Sequence, residues 1–233
     1  MLVAGAVLLA YPFANEALYR AETSSMRQGF SERVAASQGA AGGEAAEEAD
    51  GAARPIDVEG LYAYLKAENE RLLEEGQKDL KDAWSYEQPN VDLSAWGIED
   101  NVIGFLRVPS IGAVLPIRLG ANADQMAVGA VHLTQTSFPI GGEGTNSVIA
   151  AHRGMNNGLA MFSDLPSVQA GDEVIIENFR ETLEYRVVDT QVIRPTDVSK
   201  IRIQEGRDMV TLITCHPLGH NYQRFAVYAE RVK

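Results

Sequence analysis

From residue 104 to the C-terminus the chain is a series of short apolar or alternating runs, separated by glycine and proline. Runs of this length and side-chain period are typical of β-strands, and the glycine and proline residues between them indicate turns. The expected strands are Gly104–Val108, Val114–Leu119, Ser147–Ala151, Glu173–Asn178, Leu183–Ile193, Met209–Thr214 and Arg224–Val232. Seven or eight strands predict a mainly β domain, either a closed barrel or a sandwich, because such folds leave few exposed strand edges.

Few helices are expected inside this domain. One short helix is predicted for residues 158–165, before the strand that begins near Glu173. The domain itself is expected to begin at residue 103 and to run to residue 233.

Two segments of different composition precede residue 55. Residues 1–20 open with an uncharged apolar run, shorter than the roughly 20 residues that a helix needs to cross a bilayer. Two interpretations stay open: the remnant of a membrane anchor, which we prefer, and an apolar helix that packs on the domain. Residues 21–54 are rich in Ala, Gly, Ser and Glu, which predicts an acidic, flexible or partly helical spacer.

Residues 55–102 are expected to form a helix followed by a segment that lies against a surface. Large side chains recur at three- and four-residue steps, at Leu61, Tyr64, Leu65, Asn69 and Leu72. This spacing predicts a helix that ends near Gly76. Trp84 and Trp96 follow among polar residues, and aromatic side chains in such a loop-like stretch indicate contact with another surface.

Charge and cysteine content exclude several classes of function. The formal net charge is −12, which argues against nucleic acid as a partner because phosphate binding requires clustered Lys and Arg. The one cysteine, Cys215, rules out an internal disulfide framework and a thiolate-rich metal site. A lone cysteine is commonly a small buried apolar residue, so a chemical role requires support from its neighbours.

Three polar residues sit at the ends of predicted strands. Cys215 ends one run, so a rigid sheet would hold its thiol at the rim, and His152 ends another. A cysteine nucleophile requires an imidazole that takes its proton and later protonates the leaving amine. Arg224 lies just across a turn from Cys215, so antiparallel pairing would place its guanidinium beside the thiol to stabilise an oxyanion. The alternative for Arg224 is an ordinary ion pair with a carboxylate.

Several motifs, in a fixed order, resemble the sortase family. Thr211–Cys215 (TLITC) with Arg224 nine residues on resembles the sortase signature, and Ala150–Gly154 (AAHRG) resembles its histidine strand. The stretch 103–232 is similar to the pilus-assembling branch, class C. The segments that carry this similarity are Gly104–Gly112, Leu115–Ile117, Thr136–Thr145, His152–Gly154 and Gly171–Asp172.

The resemblance implies a fold, a catalytic set and a reaction. The fold is an eight-stranded β-barrel, with Cys215 as nucleophile, His152 as general acid and base, Arg224 at the oxyanion, and no metal or organic cofactor. The enzyme would cut an LPxTG-like sorting signal between Thr and Gly and hold the acyl part as a thioester. A lysine amine of the next pilin would then accept it, forming an isopeptide bond in pilus polymerisation.

The implied partners are pilins or other surface proteins that carry LPxTG-like signals. The resemblance places a monomeric enzyme at the extracellular face of the membrane, in the cell envelope of a Gram-positive bacterium. Two alternatives remain open. One is a sortase that anchors proteins to the amine of a peptidoglycan precursor, and the other is a catalytically idle surface scaffold built on the same barrel.

The class C branch also carries a lid before the barrel, in which an Asp-Pro-aromatic motif plugs the active site. Asp82-Ala83-Trp84 stands in the corresponding place, although the proline is absent. Asp82 would meet Arg224 and Trp84 would fill the apolar groove. The alternative for Trp84 is packing against the helix of residues 57–75.

The remaining polar neighbours of Cys215 are expected to contact the substrate. These are Thr214 and His216, and His216 places a second imidazole beside the nucleophile. Adjacent residues on an extended strand point to opposite faces, which favours His152 as the proton carrier. The other two histidines, His132 and His220, are expected in loops or on the surface.

Overall fold

The computed structural model describes residues 2–40, 54–82, 91–156 and 159–232. Its α-helices are α1 (Leu2–Ala40), α2 (Val58–Glu75) and α3 (Ala123–Val128). The first five strands are β1 (Val102–Val108), β2 (Ala113–Leu119), β3 (Ala130–His132), β4 (Thr145–Ala150) and β5 (Arg153–Asn156). The other five are β6 (Leu159–Met161), β7 (Glu173–Asn178), β8 (Thr182–Ile193), β9 (Asp208–His216) and β10 (Gln223–Arg231).

Eight of these strands form a closed barrel, which confirms the fold class expected from the sequence. Their order around the barrel is β1, β2, β3, β4, β9, β10, β8 and β7, and β5 and β6 form a separate two-stranded sheet. The pairs β2–β3 and β4–β9 are parallel and the other neighbours are antiparallel. The parallel pair β4–β9 matters most for function, because equivalent ends of those two strands open onto the same rim.

Helix α2 confirms the helix predicted from the apolar stripe. The side chain of Asp57 accepts a hydrogen bond from the backbone N–H of Gly60 at its start. Gly76, with φ at +75°, ends it in the left-handed conformation and donates its N–H to the carbonyl oxygen of Leu72. Four members of the stripe are buried, and Tyr64 lies against Trp96 with ring centroids 4.9 Å apart.

Asn69 fixes α2 to the barrel through a backbone clamp. Its Oδ1 accepts the N–H of Phe138 at 2.7 Å, and its Nδ2 donates to the carbonyl oxygen of Phe138 at 3.3 Å. Both residues are buried. A buried amide that satisfies a backbone donor and acceptor determines where the helix sits along the barrel.

Helix α1 covers part of the expected spacer. The segment from residue 21 is helical as far as Ala40, and residues 41–53 lie outside the described residues. The helix forms and packs because Met26, Phe30 and Val34 recur at four-residue steps and contact the barrel core. Phe30 meets Phe105 of β1 edge to face, with centroids 5.7 Å apart. No helix within the described ranges has the length and apolar character that a bilayer span requires.

Two local predictions are wrong. Residues 159–161 of the predicted helix 158–165 form strand β6, which pairs with β5, because Leu159 and Met161 are buried with period two. His132, expected in a loop or on the surface, belongs to β3 and is 1% exposed. A three-residue strand is too short to give a recognisable pattern. His220 is exposed, as expected.

Candidate active site

Cys215 lies near the end of β9, directly opposite Arg224 on β10. The two are register partners in the antiparallel β9–β10 pair. Arg224 Nη1 is 3.9 Å from Cys215 Sγ, and it also donates to the carbonyl oxygens of Asn221 at 2.7 Å and Gln223 at 3.0 Å. The turn between the strands therefore fixes a buried guanidinium beside the thiol.

His152 reaches the same rim from the neighbouring parallel strand. The β4–β9 register ends at Ala150 opposite Ile213, so two more residues on each strand bring His152 and Cys215 to the same level. The exit of the chain from β4 is held by two hydrogen bonds. The N–H of Ala151 donates to Ile213 at 3.2 Å, and the hydroxyl of Thr214 donates to the carbonyl oxygen of Ala151 at 2.8 Å.

Burial drives the Cys215 thiol and the His152 imidazole toward their neutral forms. Desolvation raises the pKa of Cys215; the nearby Arg224 and Arg153 charges lower it, and the Asp82 carboxylate raises it further. Desolvation also lowers the pKa of half-buried His152. Both directions favour the neutral thiol and the neutral imidazole.

Asp82 engages the guanidinium of Arg224 in a bidentate pair. Asp82 Oδ1 accepts from Arg224 Nε at 2.9 Å, and Oδ2 accepts from Nη2 at 2.6 Å. The Arg224 side chain is 5% exposed and that of Asp82 is 20% exposed, so water screens the pair weakly. Trp84, the other expected lid residue, lies outside the described residues.

The segment that brings Asp82 to the site, residues 77–82, is called the stem here. Buried Gln77 at its start donates to the carbonyl oxygen of Gln135 at 2.9 Å and accepts from the N–H of Ile203 at 2.7 Å. Leu80 is 7% exposed and packs into an apolar cluster on the barrel. The stem is therefore attached to the barrel at two points before it reaches Arg224.

Thr214 and His216, the two expected substrate contacts, differ in exposure. Thr214 is fully buried, and its hydroxyl supports the chain segment that leads to His152. His216 is partly exposed at the end of β9, and its Nδ1 lies 3.0 Å from Nη1 of Arg153. Sequence reasoning missed Arg153, although it is part of the His152–Gly154 segment, because the contact joins residues 63 apart.

The described residues contain no cluster of three or more His, Cys, Asp or Glu side chains that could hold a metal ion. A cavity of about 230 Å³ lies between α1 and strands β2 and β6, away from Cys215. Chemistry rather than cavity size therefore identifies the rim around Cys215 as the candidate active site.

Comparisons with known proteins agree with this geometry. A family profile described as "Sortase domain" matches residues 106–232. Sortase D of Bacillus subtilis is 28% identical over 132 residues, 55% of this chain and 63% of that protein. Sortase A of Bacillus anthracis is 27% identical over 161 residues, 68% of this chain and 74% of that protein. The chain thus spans less than two thirds of the Bacillus subtilis relative.

Solved structures give a closer match to the whole fold. Sortase C1 of Group B Streptococcus pilus island 1 is 31% identical, with a TM-score of 0.67 over 74% of this chain and 81% of that chain. Sortase C-1 of Actinomyces oris is 33% identical, with a TM-score of 0.64 over 75% of this chain and 99% of that chain. The profile covers more than half of the sequence and the barrel is shared, so this chain belongs to the sortase family of cysteine transpeptidases.

Proposed function

We propose that this chain is a pilin-polymerising sortase that joins an LPxTG-like sorting signal to a lysine amine of a second pilin. The observation that carries the proposal is the Asp82–Arg224 pair, which covers the cysteine rim from a stem preceding the barrel. A lid of this kind is what the class C resemblance implies. Similarity to sortase C structures, among them one named for a pilus island, supports the same branch.

In the first half-reaction Cys215 acts as nucleophile. Its sulfur attacks the carbonyl carbon of the threonine in the sorting signal while His152 takes the thiol proton. Arg224 donates to the oxyanion of the tetrahedral intermediate. Collapse of this intermediate breaks the Thr–Gly bond, His152 gives its proton to the leaving glycine amine, and a thioester remains on Cys215.

The second half-reaction repeats this chemistry with an incoming amine. The lysine nitrogen attacks the thioester carbon, His152 takes a proton from the nitrogen, and Arg224 again stabilises the oxyanion. Departure of the Cys215 sulfur leaves an isopeptide bond, and His152 returns the proton to the thiol. Atoms and charge balance without a cofactor.

The resting arrangement opposes this cycle because Asp82 holds Arg224. Nε and Nη2 of the guanidinium donate to the carboxylate, and Nη1 donates to two backbone carbonyls. Arg224 must therefore be released from Asp82 before it serves an oxyanion. The proposed lid is thus autoinhibitory. As the family resemblance implies, the enzyme would act on partners at the outer face of a Gram-positive cell envelope.

The test is to mix the full chain with a pilin that bears an LPxTG-like signal and an acceptor lysine. The proposal predicts covalent ladders that survive boiling in detergent, with more product from Asp82→Asn and none from Cys215→Ala. Ladders that persist in Cys215→Ala would remove the cysteine from the mechanism.

Mass spectrometry of the product separates the alternatives. A pilin lysine at the new bond supports the proposal, whereas a peptidoglycan stem peptide as the preferred acceptor identifies a cell-wall-anchoring sortase. A Cys215 thiol that stays unreactive in Asp82→Asn and forms no product identifies the idle scaffold.

A further inference from the structure

Arg153 is a second guanidinium at the cysteine rim. It opens β5 immediately after His152, and its backbone is held opposite Met161 of β6. The next residue, Gly154, has φ at +101° and donates its N–H to Ser163 Oγ at 3.2 Å. This local structure turns the chain sharply after β4 and brings the Arg153 side chain back to β9, where Nη1 meets His216 Nδ1 at 3.0 Å.

This contact determines the protonation state of His216. A guanidinium has donors and no acceptor, so Nδ1 of His216 must offer its lone pair and the ring proton must sit on Nε2. Desolvation lowers the pKa of His216, and the positive charge of Arg153 lowers it further. An imidazolium beside Arg153 would lose the hydrogen bond and place two cations in contact.

Arg153 also acts on Cys215. Among the residues that the structure describes, the charged and titratable groups near the thiol are Arg224 from β10, Asp82 from the stem, Arg153 from β5 and, by register, His152 beyond β4. Arg224 is paired with Asp82, whereas Arg153 forms no ion pair within the described residues. Its Nε is buried and has no hydrogen-bond partner there, so the charge of Arg153 is not bound up in a network of its own.

We propose that Arg153 is a positioning residue of the active site, which holds His216 as a neutral Nε2–H imidazole and supplies to the Cys215 thiol a positive charge that no described carboxylate pairs with. The proposal rests on the proposed function, because it leaves His152 as the one imidazole at this rim that carries protons during turnover. It also explains how a second histidine lies next to the nucleophile without competing with His152. Phe225, whose ring centroid lies 6.0 Å from that of His216, adds no charge to the contact.

The first test follows the pH dependence of Cys215 alkylation by iodoacetamide in the full chain, with no substrate present. Arg153→Gln is expected to move the midpoint to higher pH. Below the midpoint its alkylation is expected to be about two- to fivefold slower, the range for one partly exposed charge pair. Arg153→Lys should recover most of the rate. An unchanged midpoint in Arg153→Gln would overturn the proposal.

The matched control is Arg186→Gln, which removes the same charge from β8. In the strand register Arg186 lies opposite Glu230 of β10, and Glu230 lies opposite Met209 of β9, about 20 Å along that strand from Cys215. This control should leave the alkylation profile unchanged. If the alkylation midpoint moved equally in both variants, the effect of Arg153→Gln would come from the net charge of the chain and not from the position of Arg153. That result would count against the proposal.

The second test needs no substitution, so it holds even if Arg153→Gln fails to fold. Nitrogen-15 NMR of the imidazoles in the unaltered chain should show His216 as the neutral Nε2–H tautomer at pH 6.5. An imidazolium or an Nδ1–H tautomer at that pH would contradict the proposal. Either outcome leaves the pilin-joining function standing, because covalent ladders do not depend on the tautomer of His216.

Discussion

Two polar regions of this barrel use the same residue types to opposite effect. On the helix-docking side, where α1 and α2 meet the barrel, burial alone would raise the pKa of Glu177. Hydrogen bonds from Arg27 and Arg107 outweigh burial there and lower that pKa. On the cysteine rim, desolvation outweighs the nearby arginines and raises the pKa of Cys215. Pairing therefore favours charge in the first region, and burial favours neutrality in the second.

The two regions differ in what their ion pairs do: on the helix-docking side they support folding, and on the cysteine rim they limit reactivity. Glu177 bridges α1 and β1, donors and acceptor are matched, and the ion pair contributes to folding. On the cysteine rim, the well-matched ion pair among the described residues is Asp82–Arg224, and it occupies Arg224 donors that an oxyanion would need. Breaking a pair on the docking side should cost stability alone, whereas breaking the pair on the rim should increase reactivity.

The largest expected effect is on turnover, in Arg224→Lys. An ammonium keeps the charge but lacks the planar fork that reaches the oxyanion and the turn carbonyls together. Loss of one such donor lowers kcat by about 10²- to 10³-fold. Rates of thioester formation with a sorting peptide measure this, and Arg186→Lys is the control. Unimpaired turnover in Arg224→Lys would contradict the oxyanion role.

The next effect is on acid stability, through His132 on the docking side. Burial lowers its pKa to about 4 from an ordinary 6.5, although hydrogen bonds to Ser137 and Thr136 oppose the shift. The unfolded chain binds the proton more readily between these values. Stability should thus fall by about 3 kcal/mol as pH drops from 6.5 to 4, with no loss from this group above that window. Urea titrations at several pH values measure the slope of the unfolding free energy against pH.

The His132 prediction has two controls. His132→Gln should remove most of the slope between pH 6.5 and 4, while exposed His220→Gln should retain it. A slope that survives in His132→Gln would assign acid sensitivity to another group.

A smaller effect, on thiol reactivity, is expected for Asp82→Asn. The substitution removes a charged hydrogen-bonded pair that contributes roughly 1.5–3 kcal/mol to the closed arrangement, so alkylation of Cys215 should accelerate about tenfold or more. It also removes the carboxylate that raises the thiol pKa, after the larger effect of desolvation. Slower alkylation in Asp82→Asn would show that the pair activates the thiol, and the contrast between the two regions would fail.

The smallest effect is expected for Glu177→Gln. Replacing the carboxylate weakens its pairs with Arg27 and Arg107, and unfolding free energy should fall by about 1 kcal/mol because both pairs are partly exposed. Thiol alkylation should not change. Glu173→Gln is the control, since its pair with Arg186 at 3.5 Å is more exposed and its loss should cost less. A change in Cys215 reactivity in Glu177→Gln would show that the helix-docking side and the cysteine rim are coupled.

Sequence patterns were sufficient for much of the fold. Short apolar or alternating runs located seven of the eight barrel strands, and the stripe ending at Gly76 located α2. Strand β3 has three residues, too few to show a period, and His132 was misjudged with it. Period alone left barrel and sandwich open, and the family resemblance decided between them. In α1, the stripe Met26, Phe30 and Val34 lies among small and polar residues that masked it.

The contacts of the candidate site also divide into those that the sequence predicts and those that it does not. A β9–β10 pairing could be foreseen from the short turn between Cys215 and Arg224, since register in a hairpin follows from turn length. The approach of Asp82 to Arg224 was suggested by resemblance alone. The Arg153–His216 contact depends on how β5 folds back toward β9 after Gly154, a tertiary feature that no local pattern encodes.

The most direct test of the central claim is intact-protein mass spectrometry of Asp82→Asn mixed with an LPxTG-like peptide and no acceptor. The account predicts that Cys215 gains the mass of the acyl group of the fragment that ends in threonine, and that the fragment that begins with glycine is released. An unmodified chain and an intact peptide, from a sample whose thiol alkylates readily, would contradict it.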